Sequence, residues 1–155
     1  METRFWLIGE PDLGNANSVT QEQLDAWESE GLVQLFGFRK DIPDLFAQSN
    51  IVTLPSFYGE GLPKVLIKAA ACGRAVITTD HPGCRDAIEV NKTGVLIPIR
   101  DSVALANAIQ DLVEHPDKRK SMGLAGRKLA IDEFDVNKVV EQHLQIYTEL
   151  MEKAK

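Results

Sequence analysis

The chain has 155 residues, 44% hydrophobic and 26% charged, with a formal net charge of −6. That length suits one globular domain with a sizeable core and leaves no room for a second. The acidic balance argues against bulk nucleic-acid binding, which needs surplus Lys and Arg to displace counterions, and no apolar run approaches the roughly 18–20 residues that span a bilayer. The start, METRFWLIGE, lacks the charged-then-apolar pattern of a secretory signal, so a soluble cytoplasmic protein is expected.

RFWLIGE (4–10) is a short apolar run closed by turn residues, as a buried strand would be. PDLGNAN follows as a loop. Ser18 with Gln21 three residues on predicts a capping box, opening a helix that carries Val19, Leu24 and Trp27 and stops at Gly31. LVQLFGF (32–38) reads as a second strand, DIPDLFAQSN as a short helix with Pro43 in its first turn, and IVTLP (51–55) as a third strand.

A helix is predicted over 61–72, then a strand AVITT (75–79), a turn DHPGCRD and a fifth strand GVLIPI (94–99). Strand and helix alternate with no hairpin signal, which implies parallel strands joined by crossover helices, an α/β sheet covered on both faces. The tail is helical. Asp101 caps the first of three helices, Pro116 opens the second, and FDVNKVVEQHLQIYTELMEK forms the third.

Cys72 and Cys84 read as reduced, partly buried thiols rather than a disulfide. His81 and Cys84 have an H-x-x-C spacing, but structural zinc takes four ligands in two short pairs and the second pair is missing, so no metal site is assigned. The basic run Lys118, Arg119, Lys120, Arg127 and Lys128 fits a solvated helix face better than a phosphate or membrane contact. His115, at a helix end, reads as a surface cation and not a catalyst.

In open parallel sheets ligands bind beyond the carboxyl ends of the strands. Of the four loops in such places, PSFYGEGLP after the third strand is the richest. Gly59 and Gly61 flank Glu60, so positive φ and close ligand approach are open to the backbone. Pro63 suits a first helical turn. The N–H groups of Gly61, Leu62 and Lys64 would then face outward at a positive helix end suited to phosphate or sugar hydroxyls. Glu60 would accept from those hydroxyls, or else simply complement the helix dipole; spacing alone leaves both readings open. Glu60, Lys64 and Lys68 form one polar stripe about 12 Å long, with Leu62, Val65, Leu66, Ala69 and Cys72 on the opposite, buried face.

Other fingerprints fail. GEPDLG has Pro11 where a dinucleotide turn needs glycine, strand three lacks a receiver-type Asp cluster, and Ser56 with His81 and Asp80 lacks the nucleophile-elbow context.

The segment DIPDLFAQSNIVTLPSFYGEGLPKVLIKAAACGRAVITTDHPGCRDAIEVNKTGVLIP resembles the donor-binding half of retaining GT-B glycosyltransferases of family 4, the group 1 transferases, and the likeness extends over essentially the whole chain. It is closest to the bacterial branch that builds capsule, O-antigen or exopolysaccharide. The resemblance implies a Rossmann-like α/β/α domain, the C-terminal half of a GT-B fold, followed by C-terminal helices. Glu60 would be the catalytic-site carboxylate on the donor sugar's hydroxyls. Gly59, Gly61, Leu62, Pro63 and Lys64 would line the sugar and diphosphate, and Arg39 with Lys40 would lie near the base.

The family's second glutamate, which holds the ribose hydroxyls, falls at position 68, where this chain has Lys68. An ammonium only donates, so donor affinity is expected to fall by about 1–3 kcal/mol. The resemblance also implies a UDP-sugar donor, no metal cofactor and a saccharide or lipid-linked acceptor. It implies a first strand segment with two diphosphate-holding cations, and an N-terminal acceptor domain or partner chain; on this reading the sequence lacks both. The chain alone is then inactive and prone to self-association, and the complete enzyme cytoplasmic with a peripheral contact at the inner membrane face. The alternative is a non-catalytic nucleotide-binding or scaffold module derived from the same fold.

Overall fold

A computed structural model of the chain describes residues 3–59 and 61–153. The chain separates into two compact units, Met1–Ile42 and Pro43–Lys155.

In the first unit, β1 (Trp6–Leu7), α1 (Gln21–Ser29) and β2 (Gln34–Leu35) make a β-α-β unit with parallel strands in the register Trp6↔Gln34 and Leu7↔Leu35. The strands are shorter than the apolar runs predicting them. Gly9 and Gly37, both at positive φ, lie just beyond the ladder, where the Gly9 N–H still donates to the Gly37 carbonyl at 2.9 Å. The capping box lies two residues later than expected. Thr20 accepts from the Gln23 N–H, and the Gln23 side chain accepts from the Thr20 N–H at 2.9 Å. Ser18 is drawn off by the preceding loop, its Oγ accepting from the Asp12 N–H at 2.9 Å. At the other end Gly31, at φ +73°, closes a Schellman motif: its N–H bonds the Glu28 carbonyl and that of Leu32 bonds the Trp27 carbonyl. Only Leu24 of α1 is buried.

The second unit holds nearly all of α2 (Ile42–Gln48), then β3 (Ile51–Leu54), α3 (Lys64–Ala71), β4 (Ala75–Thr79), α4 (Pro82–Asp86), β5 (Gly94–Ile97), α5 (Ser102–Glu114), α6 (Pro116–Glu133) and α7 (Val136–Lys153). Its sheet has the order β3-β4-β5, all parallel. All five residues of β4 are buried, so the centre of the sheet is covered on both faces, as the crossover pattern requires. Ala75, Ile77, Ile97, Leu112 and Met122 form a core, with Ile51, Val95, Leu105 and Ile109 packed around it. Full burial of a side chain such as Leu112 or Ile77 contributes about 2–3 kcal/mol.

The segment expected as a turn at DHPGCRD is the short helix α4, with His81 at its N-cap and Pro82 opening it. Five residues are too few for hydrophobic periodicity to reveal. Asp101 and Pro116 act as predicted: the Asp101 carboxylate accepts from the Ala104 N–H at 2.8 Å, and Pro116 begins α6.

Glycines set the seat of α3. α6 crosses α3 where Gly123 meets Gly73, so closely that a Cβ at Gly123 would overlap the Gly73 carbonyl oxygen. One turn on, Gly126 leaves room for a methyl, its nearest neighbour being the Ala70 Cβ at 3.5 Å. α7 has no buried residue, and Val136, Val140, Leu144, Tyr147, Leu150 and Met151 are exposed along it.

Candidate functional site

At the carboxyl end of the three-stranded sheet, β3 runs into Pro55 and Ser56 and then the loop that feeds α3. Two buried threonines of β4 hold the root of that loop. Thr78 Oγ1 donates to the Leu54 carbonyl at 2.8 Å, and Thr79 Oγ1 donates to the Ser56 carbonyl. Burying hydroxyls inside a sheet costs free energy unless they are bonded; these bonds satisfy them and fix where the loop departs. The Phe57 and Tyr58 rings then stack with centroids 4.4 Å apart. From the end of β5, Arg100 places its Cζ 4.5 Å from the Phe57 ring centroid.

Among the predicted residues, Gly59, Gly61, Leu62, Lys64 and Lys68 are all exposed on this stretch, whereas Pro63 is buried. Glu60, the expected catalytic-site carboxylate, lies outside the described residues, and so does its pairing with Lys64. The glycines act differently from the expectation. Neither Gly59 nor Gly61 has a positive φ, and a Cβ at either would meet nothing within 4 Å. What they provide is a bare backbone facing open space.

The helix also begins later. Pro63 is the N-cap, with an extended ψ of 113°, and Lys64 is the first helical residue. The Leu66 N–H bonds back to the Pro63 carbonyl at 3.1 Å. The N–H groups left facing the loop at the helix end are therefore those of Lys64 and Val65, not those of Gly61 and Leu62. Lys64 and Lys68 sit one turn apart on the exposed side, opposite the buried Leu66, Ala69 and Ala70. Val65 and Cys72 are half-buried and Leu62 is exposed, so the buried face is narrower than predicted.

Next to the loop, the Asp80 carboxylate accepts from Arg85 Nε at 2.7 Å, and this hydrogen bond raises the Arg85 pKa. Asp80 is thus engaged away from His81, whose buried Nδ1 has no partner among the described residues. Cys72 and Cys84 are free thiols.

Arg39 belongs to the first unit. Its guanidinium grips Asp41 through two hydrogen bonds, Nε to Oδ1 at 2.8 Å, and lies 6.0 Å from the Phe36 ring centroid. The hydrogen bond from Arg39 holds the Asp41 carboxyl below the usual carboxylate range, and Asp41 in turn raises the Arg39 pKa. Arg39 would have to share or release Asp41 to meet an anionic ligand.

Sequence reasoning passed over Thr78, Thr79, Phe57 and Arg100. Only the aromatic pair beside the glycines gave any local signal.

Parallel strands, a sheet buried on both faces and a loop-to-helix junction at the carboxyl end of β3 are the C-terminal half of a GT-B fold. The chain belongs to the family described as Glycosyl transferases group 1, whose model matches residues 1–115.

Similarity to individual proteins agrees. The chain is 28% identical over 153 residues to the N,N'-diacetylbacillosaminyl-diphospho-undecaprenol alpha-1,3-N-acetylgalactosaminyltransferase of Campylobacter jejuni, covering 99% of this chain and 39% of that protein. HepE from Anabaena in complex with UDP has a TM-score of 0.86 at 27% identity, covering 94% of this chain and 41% of HepE; HepE is also known in complex with UDP-glucose. The C-terminal domain of a group 1 glycosyl transferase from Francisella tularensis shares the fold, with a TM-score of 0.63 at 22% identity over 75% of this chain and 62% of that one. The chain spans about two fifths of the length of the first two. Among the described residues, no helix is long and apolar enough to cross a membrane.

Proposed function

We propose that this chain is the donor-binding part of a retaining glycosyltransferase that moves a sugar from a UDP-sugar to a saccharide or lipid-linked acceptor. One observation carries the reading: PSFYGEGLP delivers a bare, exposed backbone and a helix N-terminus to the carboxyl end of the sheet, in a chain similar to HepE, which is known with UDP bound. The N–H groups of Lys64 and Val65, which have no partner among the described residues, form with the Lys64 ammonium a positive end for the donor's diphosphate. The resemblance assigns Glu60 to the sugar hydroxyls, and Gly59, Gly61, Leu62 and Pro63 to the flank of the sugar.

Catalysis on this reading is positioning plus electrostatic stabilisation of an oxocarbenium-like centre and a departing diphosphate. Helix end and cations, rather than a metal, neutralise the phosphates. The acceptor site belongs to a further domain or partner chain. The complete enzyme works in the cytoplasm with a peripheral contact at the inner membrane face, consistent with a lipid-linked substrate in the name of the Campylobacter relative.

Lys68 favours a second reading, a non-catalytic nucleotide-binding module. It is exposed in the last turn of α3, where the resemblance calls for a ribose-binding carboxylate. Titration of UDP and UDP-glucose into the chain and into Lys68→Glu, followed by amide chemical shifts, separates the two. Binding by the native chain that tightens about tenfold in Lys68→Glu supports a working donor site weakened at one contact. Binding by Lys68→Glu alone supports the second reading, and a well-folded spectrum with no binding by either protein rejects both.

A further inference from the structure

Arg100 stands in a conformation its residue type disfavours. Its φ is +58°, and among the described residues only Asn91 shares a positive φ without being glycine. Asparagine visits this region readily and arginine does not. The backbone on either side is fixed: β5 ends at Ile97, and Asp101 is the N-cap of α5, with its carboxylate on the Ala104 N–H and its carbonyl on the Leu105 N–H. A glycine would meet that geometry without strain.

The side chain gives a reason for an arginine there. β3 and β5 are separated by β4, so their ends lie about 10 Å apart. The Arg100 guanidinium nevertheless reaches the Phe57 ring in the loop after β3, at 4.5 Å from the centroid, and forms no ion pair among the described residues. Phe57 is 38% exposed and stacks on Tyr58, the residue before Gly59. The Thr78 and Thr79 bonds hold the loop only as far as Ser56. Beyond Ser56, the Arg100–Phe57 contact joins the loop to a residue outside it.

We propose that Arg100 is a positioning residue: by covering Phe57 it pins the outer half of the Ser56–Pro63 loop, and the exposed backbone at Gly59 and Gly61 with it, against the carboxyl end of the sheet. It acts on the ligand through the loop and does not touch the reacting atoms. The consequence for donor affinity rests on the donor-site reading above; the consequence for loop order does not.

The substitution Arg100→Gly separates the two effects of the residue, because it relieves the backbone while removing the tether. Backbone 15N order parameters in the ligand-free chain are expected to fall at Phe57, Tyr58, Gly59 and Gly61, with the population of the released loop rising about two- to fivefold, the factor set by an exposed cation–π contact. The urea midpoint should hold or rise and the order parameters of β3–β5 should stay as they were. Phe57→Leu, which leaves Arg100 in place, should loosen the same amides, and the double variant should add nothing further. UDP-glucose affinity should fall by a similar two- to fivefold, with Arg100→Lys in between.

Unchanged order parameters at Phe57–Gly61 in Arg100→Gly, or order parameters that fall equally throughout the sheet, would overturn the assignment. So would additive effects in the double variant. If the native chain binds no UDP-glucose, the donor-site reading fails, while the order-parameter comparison still decides the role of Arg100.

Discussion

Replacing Gly123 by alanine tests how α3 is held. Both Gly123 and Gly126 lie inside α6, so either change to alanine gains up to about 1 kcal/mol of helix propensity. Their surroundings differ. A methyl at Gly126 would make ordinary contacts at 3.5 Å with the Ala70 Cβ and 3.7 Å with the Thr93 carbonyl oxygen. A methyl at Gly123 would overlap the Gly73 carbonyl oxygen and lie 2.9 Å from its carbon. That neighbour is backbone at the end of α3 and cannot swing aside, so α6 and α3 must part, at a cost of about 1–3 kcal/mol or more.

Gly126→Ala is therefore expected to be neutral or stabilising by up to about 1 kcal/mol, and Gly123→Ala to be net destabilising by about 0–2 kcal/mol, or more, after its propensity gain. Urea denaturation followed by far-UV circular dichroism reads the difference. Equal midpoints for the two variants would refute the claim that the Gly73–Gly123 contact sets the spacing of these helices.

Thr20→Ala removes the capping box of α1 and should cost the first unit about 1 kcal/mol, read as faster exchange of the Gln21–Ser29 amides; Ser18→Ala should leave those amides unchanged. Asp41, Asp111 and Asp132 are held below the usual carboxylate range by hydrogen bonds from Arg39, Lys118 and Lys128 respectively. A carboxylate with a folded pKa below its unfolded one stabilises the fold fully above the unfolded value and loses that contribution as pH falls through the folded value. The urea midpoint should therefore be level near neutrality and decline below about pH 4, gently because all three pairs are exposed; Asp111→Asn should flatten part of that decline. Lys68→Glu should tighten UDP about tenfold while lowering stability slightly, since a carboxylate in the last turn of a helix opposes its dipole.

The alternation of strand and helix was legible because each crossover carried its own punctuation: Gly31, Pro43, Asp101 and Pro116 all act as read. Misreadings arose where two local signals competed. Ser18-x-x-Gln21 and Thr20-x-x-Gln23 are overlapping capping signatures, and a loop hydrogen bond from Asp12 to Ser18 decided between them. Pro63 was compatible with the cap and with the first turn, and its extended ψ moved the start of α3 to Lys64.

The loop after β3 could be located from sequence because glycine, proline and charge coincide there, but what holds it could not. Thr78 and Thr79 look like ordinary strand residues until their hydroxyls are seen on the carbonyls of Leu54 and Ser56. Arg100 meets Phe57 because the parallel strands bring the ends of β3 and β5 to the same end of the sheet.

The central claim is that the Phe57–Lys68 stretch is a UDP-sugar donor site. Titration of UDP-glucose into the isotope-labelled native chain, read at every backbone amide, tests it most directly. Saturable shifts concentrated at Phe57–Lys68, with a dissociation constant on the order of 1 mM given the ammonium at position 68, are the predicted result. A folded spectrum in which those amides stay still at saturating ligand, or shifts confined to residues remote from the loop, would contradict it.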